Sequence, residues 1–302
     1  MKHLRYLVVF LLFLMLPVTL MADITGLPSG STWYFHADFE EMRSSEAGKH
    51  LYAWLQDEVI EEVRDEAGFD IDKEADTLTA YSAGSDDLVV VIDGNISQET
   101  QDKLMAMGAS SGSMDQLGSG KNAYYHIKGD GENGEIDIEV DTLDDGIYLS
   151  FAVKNKLIVT SSEEIMESML DNKGRVKSNG NTADTLFVLS AERNLVQAGA
   201  KAGELGDDIG WDSNILRNTE RVALLIADKA GKLAFEAQLV TTEEEMANSL
   251  ASIGRGLISL QVFNDELDPE MVEFLQSMSV DVEGTKVVVK VALDPKVVVD
   301  AL

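Results

Sequence analysis

The sequence contains no cysteine, which excludes disulfides, thiol catalysis and cysteine-ligated metal centres. Basic residues are also scarce: 24 lysines and arginines stand against 54 aspartates and glutamates, for a formal net charge of −30. No cluster of five or more basic residues occurs. Because nucleic acids and anionic lipid surfaces are bound through lysine and arginine, the composition argues against both as partners. The acidity indicates either a well-solvated surface or attraction of cations and basic proteins.

The sequence has one long apolar run, from Leu7 to Leu20, which follows Lys2 and Arg5 at the start of the chain. This pattern predicts a Sec-type signal peptide over residues 1–22, cleaved after Ala22. The alternative is an uncleaved anchor, although crossing a bilayer requires about 20 apolar residues. We therefore expect a periplasmic or extracellular protein that is not inserted in the membrane after cleavage, with a core of its own, since 45% of the residues are hydrophobic.

A long amphipathic helix is predicted from Gly48 to Ala67. Its apolar residues recur at intervals of three and four, so they form one stripe that faces a core, and Gly68 follows where a helix would end. The residues of the stripe are Leu51, Trp54, Leu55, Val59, Ile60 and Val63.

Short β-prone runs alternate with further helices along the rest of the chain. Predicted strands cover 33–39, 77–81, 88–92, 124–127, 135–140, 147–153, 157–160, 186–190, 222–227, 233–240, 280–282 and 286–293. Predicted helices cover 98–107, 194–205 and 243–263, with a short one from Pro269 and a terminal turn after Pro295. The Gly- and Ser-rich segment 108–121 is predicted to be a loop.

Two segments resemble each other: residues 159–170 and 240–251 each end a strand and begin a helix. Each has a hydroxyl residue three positions before a glutamate, Ser161 with Glu164 and Thr242 with Glu245, which predicts a capping box. A fainter similarity relates 32–39 to 185–192. These repeats predict an α+β protein of two similar lobes, each an antiparallel sheet with helices packed on one face, arising by internal duplication. The predicted lobes are residues 23–175 and 183–302, joined through a polar segment.

Segments Gly68–Leu78 and Ser279–Val289 resemble exported bacterial proteins that have two similar lobes and no assigned activity. The resemblance implies the two-lobed architecture. It covers about 25 residues directly, and its motifs are structural, so no functional residue is carried over from it.

Three histidines follow the predicted signal peptide: His36, His50 and His126. His36 and Asp38 share a face of their predicted strand, so a zinc site that includes His126 is conceivable. The alternative, which we favour, is a histidine that is simply packed or surface-exposed.

Acidic turns at Asp70–Asp76 and Asp130–Asp145 are candidates for calcium. Neither matches an EF-hand loop, because needed ligands or the invariant glycine are missing, and solvated turns are the favoured interpretation. Residues 108–112 fit the letters of the G-x-S-x-G motif, but they follow a polar helix rather than a buried strand. Residues 118–121 resemble a phosphate loop that lacks its first glycine and its Ser/Thr.

Two features point to binding. Trp211 lies in a Gly- and Asp-rich stretch, where an exposed aromatic residue is unusual. The helix over Met246–Phe263 has a broad apolar face that we expect to be buried. The alternative is contact with a partner, since its small residues Ala247, Ala251, Gly254 and Gly256 allow close helix packing.

The sequence therefore predicts an exported, non-enzymatic protein that recognises a protein partner in the cell envelope, or scaffolds it, through an acidic surface. The alternatives are a small-molecule or calcium-binding module that uses a cleft between the lobes, and a hydrolase. No residue is assigned to catalysis or to a cofactor, and no cofactor is expected.

Overall fold

The computed structural model describes residues 24–83, 87–111, 114–128, 146–176, 184–193, 218–263, 267 and 269–299. The described residues form two compact units. The N-terminal unit comprises those within Pro28–Glu40 and Tyr52–Lys177; the C-terminal unit comprises those within Met1–Leu27, Glu41–Leu51 and Ser178–Leu302. The predicted signal peptide, the helix predicted at 194–205, the strand predicted at 135–140, the turn Asp130–Asp145 and Trp211 lie outside the described residues.

The first part of the chain contains the predicted strands and the predicted long helix, together with two short helices that were not predicted, Phe39–Ser44 and Ile71–Glu74. A five-residue π-helix interrupts the long helix, which ends as predicted at Gly68, in the left-handed conformation with φ 66°. The elements are β1 (Trp33–Asp38), α1 (Phe39–Ser44), α2 (Gly48–Leu55), the π-helix (Gln56–Ile60), α3 (Glu61–Ala67), α4 (Ile71–Glu74), β2 (Thr77–Ser82) and β3 (Leu88–Asp93).

The rest of the N-terminal unit extends its sheet. The elements are α5 (Gln98–Ser111), β4 (Met114–Leu117), a 3₁₀ turn (Gly120–Asn122), β5 (Tyr124–Ile127), β6 (Ile147–Ser150), β7 (Lys156–Thr160) and α6 (Glu163–Asp171). The strand order in this unit is β1-β2-β3-β7-β6-β5-β4, with antiparallel neighbours. Helix α6 packs its residues Met166, Met169 and Leu170 on a core of side chains from β3, β5 and β7, which are Val89, Val91, Tyr124 and Ile158.

The loop predicted at 108–121 is wrong. Helix α5 continues to Ser111, and Met114–Leu117 then form β4. Gly108 lies where the helix passes close to β5, since a Cβ there would meet Ile127 Cδ1 at 2.6 Å. The glycine permits this close packing and does not end the helix.

The C-terminal unit contains five described strands, ordered β8-β9-β10-β12-β11 with antiparallel neighbours. Helix α7 packs its residues Ala247 and Ala251 on Val280, Val287 and Val289 of the sheet. Both units thus combine helices with antiparallel strands, which confirms the predicted α+β fold. The elements are β8 (Thr185–Glu192), β9 (Thr219–Lys229), β10 (Lys232–Thr241), α7 (Glu244–Val262), α8 (Pro269–Ser277), β11 (Ser279–Glu283), β12 (Lys286–Leu293) and α9 (Pro295–Val299).

The predicted capping boxes are not formed. The residues that precede α6 and α7 are Ser162 and Glu243, one position later than predicted, and neither makes a side-chain cap. The Ser161 hydroxyl instead donates to Asp87 Oδ1 and accepts from the Leu88 N–H. The serine therefore joins β7 to the start of β3, because this partner on another strand competes successfully with the local cap.

Candidate interaction surface

A polar row crosses four neighbouring strands of the N-terminal unit at the ends of β1 and β3. Asp38 lies opposite Thr77, Thr77 opposite Asp93, and Asp93 opposite Lys156. The Lys156 ammonium forms an ion pair with Asp93. The row places two carboxylates and one ammonium on one face of the sheet, where they neutralise each other in part.

His36 lies two residues further into β1, on the same face as this row. Its side chain is 5% exposed, its Nδ1 is 2.9 Å from Thr79 Oγ1, and its ring stacks on Tyr34 with centroids 6.4 Å apart. Burial lowers the pKa of His36 below 6.5, although the charges of Asp38 and Asp93 oppose this effect. His36 is therefore packed, which is one of the two arrangements that were favoured over a zinc ligand.

His126 is not close to His36. It lies on β5 and stacks on Tyr148 of β6, with centroids 4.3 Å apart and ring planes within 3°. Strands β2, β3, β7 and β6 separate β1 from β5, which corresponds to about 24 Å at the usual strand spacing. The conceivable zinc ligands are therefore not brought together, and the described residues include no group of three or more His, Asp or Glu side chains placed to hold a metal ion.

The acidic turn at Asp70–Asp76 uses its carboxylates on different neighbours. Asp70 Oδ2 pairs with Lys73 Nζ at 2.6 Å, and hydrogen bonding to this ammonium lowers the pKa of Asp70. Asp72 accepts from the Tyr52 hydroxyl at 2.9 Å, and Glu74 accepts from the Thr100 hydroxyl at 2.8 Å. These bonds tie the turn to α2 and α5, whereas calcium binding requires the oxygens to converge on one point.

The two glycine motifs occupy places unsuited to catalysis. Ser110 lies in the last turn of α5, and its hydroxyl donates to the Met107 carbonyl oxygen at 2.8 Å, so it is not on the strand-to-helix turn of a nucleophile elbow. Residues 118–121 belong to the connection between β4 and β5. A strand follows them, where a phosphate loop would lead into a helix.

A buried polar cluster in the C-terminal unit escaped the sequence analysis. Glu236 on β10 lies directly opposite Lys290 on β12, and both side chains are at least nine-tenths buried. Gln238 Nε2 donates to Glu236 Oε1 at 2.7 Å. Burial raises the pKa of Glu236, although the hydrogen bond from Gln238 and the charges of Lys290 and Lys286 oppose the effect. The sequence did hold a signal, since each of these charges interrupts a strongly apolar strand.

Helix α7 exposes large apolar side chains on the face that points away from the sheet. Ile253 is 55% exposed, Leu257 49%, Leu260 70% and Phe263 82%. We call these four residues the α7 stripe. The small residues predicted to admit a partner helix are used differently: Ala247 and Ala251 are fully buried on the sheet, and a Cβ on Gly254 would meet Val280 at 3.9 Å. Three of these residues lie on α7 and Phe263 directly follows its last residue, so large apolar side chains are exposed close together along this segment.

The polar groups along α7 form hydrogen bonds within the C-terminal unit. The side chains of Asn248, Ser249, Ser252 and Ser259 each donate to the carbonyl oxygen four residues earlier, at 2.8–2.9 Å. The Arg255 guanidinium donates to the Val280 carbonyl oxygen at 2.9 and 2.6 Å. Because these donors already have acceptors, covering the helix would leave few polar groups without a partner.

The charge around the α7 stripe is unusual for this chain. From Met246 to Phe263 the sequence contains Arg255 and no other charged residue. Glu243, Glu244 and Glu245 precede this span, and Asp265 and Glu266 follow it in the sequence. The apolar surface therefore lies in a segment whose single charge is that of Arg255, and acidic residues precede and follow this segment in the sequence.

No helix among the described residues is both long enough and apolar enough to span a membrane. Comparison with known proteins gives no match to a family model and none to a curated protein. Among solved structures, the chain is similar to TP0453 in crystal form IV, with a TM-score of 0.48 and 11% identity over 92% of this chain and 96% of that one. Crystal form III of TP0453 gives 0.46 and 11% over 94% and 98%, and form I gives 0.44 and 9% over 92% and 94%. These values define no family, and no residue role is transferred from TP0453.

Proposed function

We propose that this chain is an exported, non-enzymatic protein that recognises a protein partner in the cell envelope, and that the α7 stripe is its contact surface. The exposure of the stripe carries the proposal. Leu260 and Phe263 are 70% and 82% exposed, and large apolar side chains exposed close together on a folded protein are typical of a binding site.

The charge of the chain favours a protein over other ligands. A net charge of −30 repels nucleic acid and anionic lipid headgroups, whose recognition depends on basic residues. The same field attracts basic proteins and raises their rate of association. The acidic surface would thus guide a partner to the apolar contact.

The proposed cellular location rests on residues 1–22. The charged start and apolar run of residues 1–22 support export through a Sec-type signal peptide, followed by cleavage after Ala22. The partner would then be a protein of the periplasm or the cell exterior.

We also propose that the two units arose by duplication of one α+β lobe. In support, the order β1-β2-β3-β7-β6 in the N-terminal unit matches β8-β9-β10-β12-β11 in the C-terminal unit, with β4 and β5 as additions. In this alignment β1 corresponds to β8, as in the fainter of the two sequence similarities. The stronger similarity pairs β7–α6 with β10–α7, which occupy different places in the strand order.

A site-specific cross-link tests the proposed contact. A photo-reactive residue at position 257, in chain expressed in its native envelope, should capture one protein in stoichiometric amount. Leu260→Asp should abolish the capture. Val297→Asp is the matched control, because Val297 is 50% exposed on α9 and the change in charge and apolar area is similar.

Both variants alter exposed residues, so we expect their melting temperatures to match that of the wild type. Undiminished capture with Leu260→Asp would refute the contact surface. A chain that captures no protein but carries a stoichiometric metabolite or ion would replace the proposal with a small-molecule or cation-binding module.

A further inference from the structure

Helix α7 carries the residue spacing of a helix–helix seam. Met246, Leu250, Ile253, Leu257 and Leu260 are separated by four, three, four and three residues, which is the alternation that keeps an apolar seam facing a partner helix. Met246 and Leu250 are half-buried, whereas the last three are exposed. The seam therefore begins within the unit and continues onto its surface.

The positions beside the exposed part of the seam are small. A Cβ on Gly256 would have no heavy atom within 4 Å, and Ser249 and Ser252 turn their hydroxyls back to the carbonyl oxygens of Glu245 and Asn248. A second helix can approach such a surface closely, because only the seam's own apolar side chains would lie between the two backbones.

The same surface has a low cost of desolvation. Its serine and asparagine donors are already bonded inside α7, and its single arginine is bonded to Val280. Covering this surface with another apolar helix therefore leaves few hydrogen-bond donors without an acceptor. To bind a ligand made of bases, sugars or phosphates, the surface would instead need free polar groups.

Charge decides between a foreign helix and a second copy of this chain. Acidic residues precede the seam at Glu243–Glu245 and follow it at Asp265 and Glu266 in the sequence. If two copies paired in parallel along the seam, Glu243–Glu245 of one copy would meet the same glutamates of the other, and the net charge of −30 on each copy opposes their association in any orientation. A partner helix with basic residues at both ends would be attracted to Glu243–Glu245 in either orientation.

Resting on the proposed function, we infer that the partner presents one amphipathic α-helix to the α7 stripe, with apolar residues at alternating intervals of three and four and with Lys or Arg in its first and last turns. The seam from Met246 to Leu260 spans 15 residues, or about 21 Å at 1.5 Å per residue. The partner helix would therefore be about 15–18 residues long, a helix-in-groove mode of recognition.

Three 18-residue peptides test this inference against the folded, exported chain. The first has leucines at the seam spacing, alanine and glutamine elsewhere, and lysines in both terminal turns. The second has the same composition with the leucines moved off one face. The third has glutamate in place of lysine. Binding is read by fluorescence anisotropy of the labelled peptide, with wild type, Leu260→Asp and Val297→Asp.

We expect the first peptide to bind the wild type and Val297→Asp equally, and to lose at least tenfold in affinity with Leu260→Asp. The second and third peptides should bind at least tenfold more weakly than the first, and the affinity of the first should fall as salt is added. Equal binding of the first two peptides would overturn the helix inference.

Two further measurements expose other occupants of the stripe. If sedimentation shows a dimer that Leu260→Asp dissociates, the occupant is a second copy and the inference is wrong. If the wild type binds phosphatidylcholine vesicles and Leu260→Asp does not, the occupant is a lipid surface and the inference is equally wrong. Capture of an envelope protein at position 257 without peptide binding would overturn the helix inference and leave the proposed function standing, whereas failure of both would remove both.

Discussion

Thr160 and Thr241, in different units, donate the same hydrogen bond. Each hydroxyl lies close to the carbonyl oxygen two residues later, 2.9 Å from that of Ser162 and 2.8 Å from that of Glu243. Both threonines are buried at the last position of a hairpin strand, and in both units the acceptor directly precedes a helix. The local similarity of residues 159–170 and 240–251 therefore reflects one strand-to-helix junction that is used twice.

Replacing either threonine with valine should destabilise its unit. Valine keeps the volume and removes the hydroxyl, so a partly buried carbonyl oxygen loses its donor, at a cost of about 1–3 kcal/mol. Thr241→Val should cost at least as much as Thr160→Val, because the Thr241 hydroxyl also lies 2.9 Å from the Thr285 carbonyl oxygen. Urea denaturation followed by circular dichroism measures both losses.

Serine at the same two positions is the control. It keeps the hydroxyl, so Thr160→Ser should recover part of the loss seen with valine. If valine were tolerated at both positions within about 0.5 kcal/mol, the range typical of neutral surface changes, the shared junction would have no role in stability.

The π-helix within the long helix predicts opposite outcomes for two adjacent residues. Periodicity places both Val59 and Ile60 on the apolar stripe, but the wider turn changes the phase, so that Ile60 is 1% exposed and Val59 42%. Ile60→Asp should lower the free energy of unfolding by about 3 kcal/mol or more, since it loses apolar burial and buries a charge. Val59→Asp should change it by less than about 0.5 kcal/mol. Denaturation curves of the pair check this, and similar losses would contradict the assigned phase.

His36 should make stability fall as the pH drops below 6.5. Burial lowers the pKa of His36 in the folded protein. The unfolded chain therefore binds the proton more readily than the folded protein does, and acid shifts the equilibrium toward unfolding. Its contribution is fully present above pH 6.5 and is lost as the pH falls toward the folded pKa. His36→Gln should flatten the decline in melting temperature between pH 7 and pH 5. His50→Gln is the control, because His50 is exposed; a wild-type profile in the His36 variant would refute the prediction.

Glu236 should have the opposite effect to His36 on the pH dependence of stability. Its pKa is raised above the usual 4.5 by burial, so the folded protein favours the protonated form, and its stabilising effect at low pH is lost as the pH rises through 4.5 toward the folded value. Glu236→Gln, which is neutral at every pH, should therefore raise the melting temperature at pH 7 and leave it nearly unchanged at pH 4.

Glu220→Gln controls for the general relief of negative charge, since Glu220 is exposed on β9. A lower melting temperature for Glu236→Gln at pH 7 would mean that the attraction between Glu236 and Lys290 outweighs the cost of burying the carboxylate.

The sequence by itself determined the α+β class and most of the described elements. The strand β1 and the hairpins β2–β3 and β9–β10 follow from alternating residues and turn signals that act over a few positions. The absence of cysteine and the excess of acids likewise hold whatever the fold is. Local pattern suffices here because each element needs only its own apolar face and its own turns.

Only the tertiary structure decided which distant residues meet. Strand order separates His36 from His126 and places Glu236 opposite Lys290, and neither relation is encoded in local spacing. The packing of α5 over Ile127 turned Gly108 from an expected helix breaker into a contact position. Tertiary packing also decided which apolar residues of the α7 segment are buried. Ala247 and Ala251 contact the sheet, whereas Leu260 and Phe263 are exposed to solvent. Burial depends on contacts between distant parts of the chain, which periodicity does not contain.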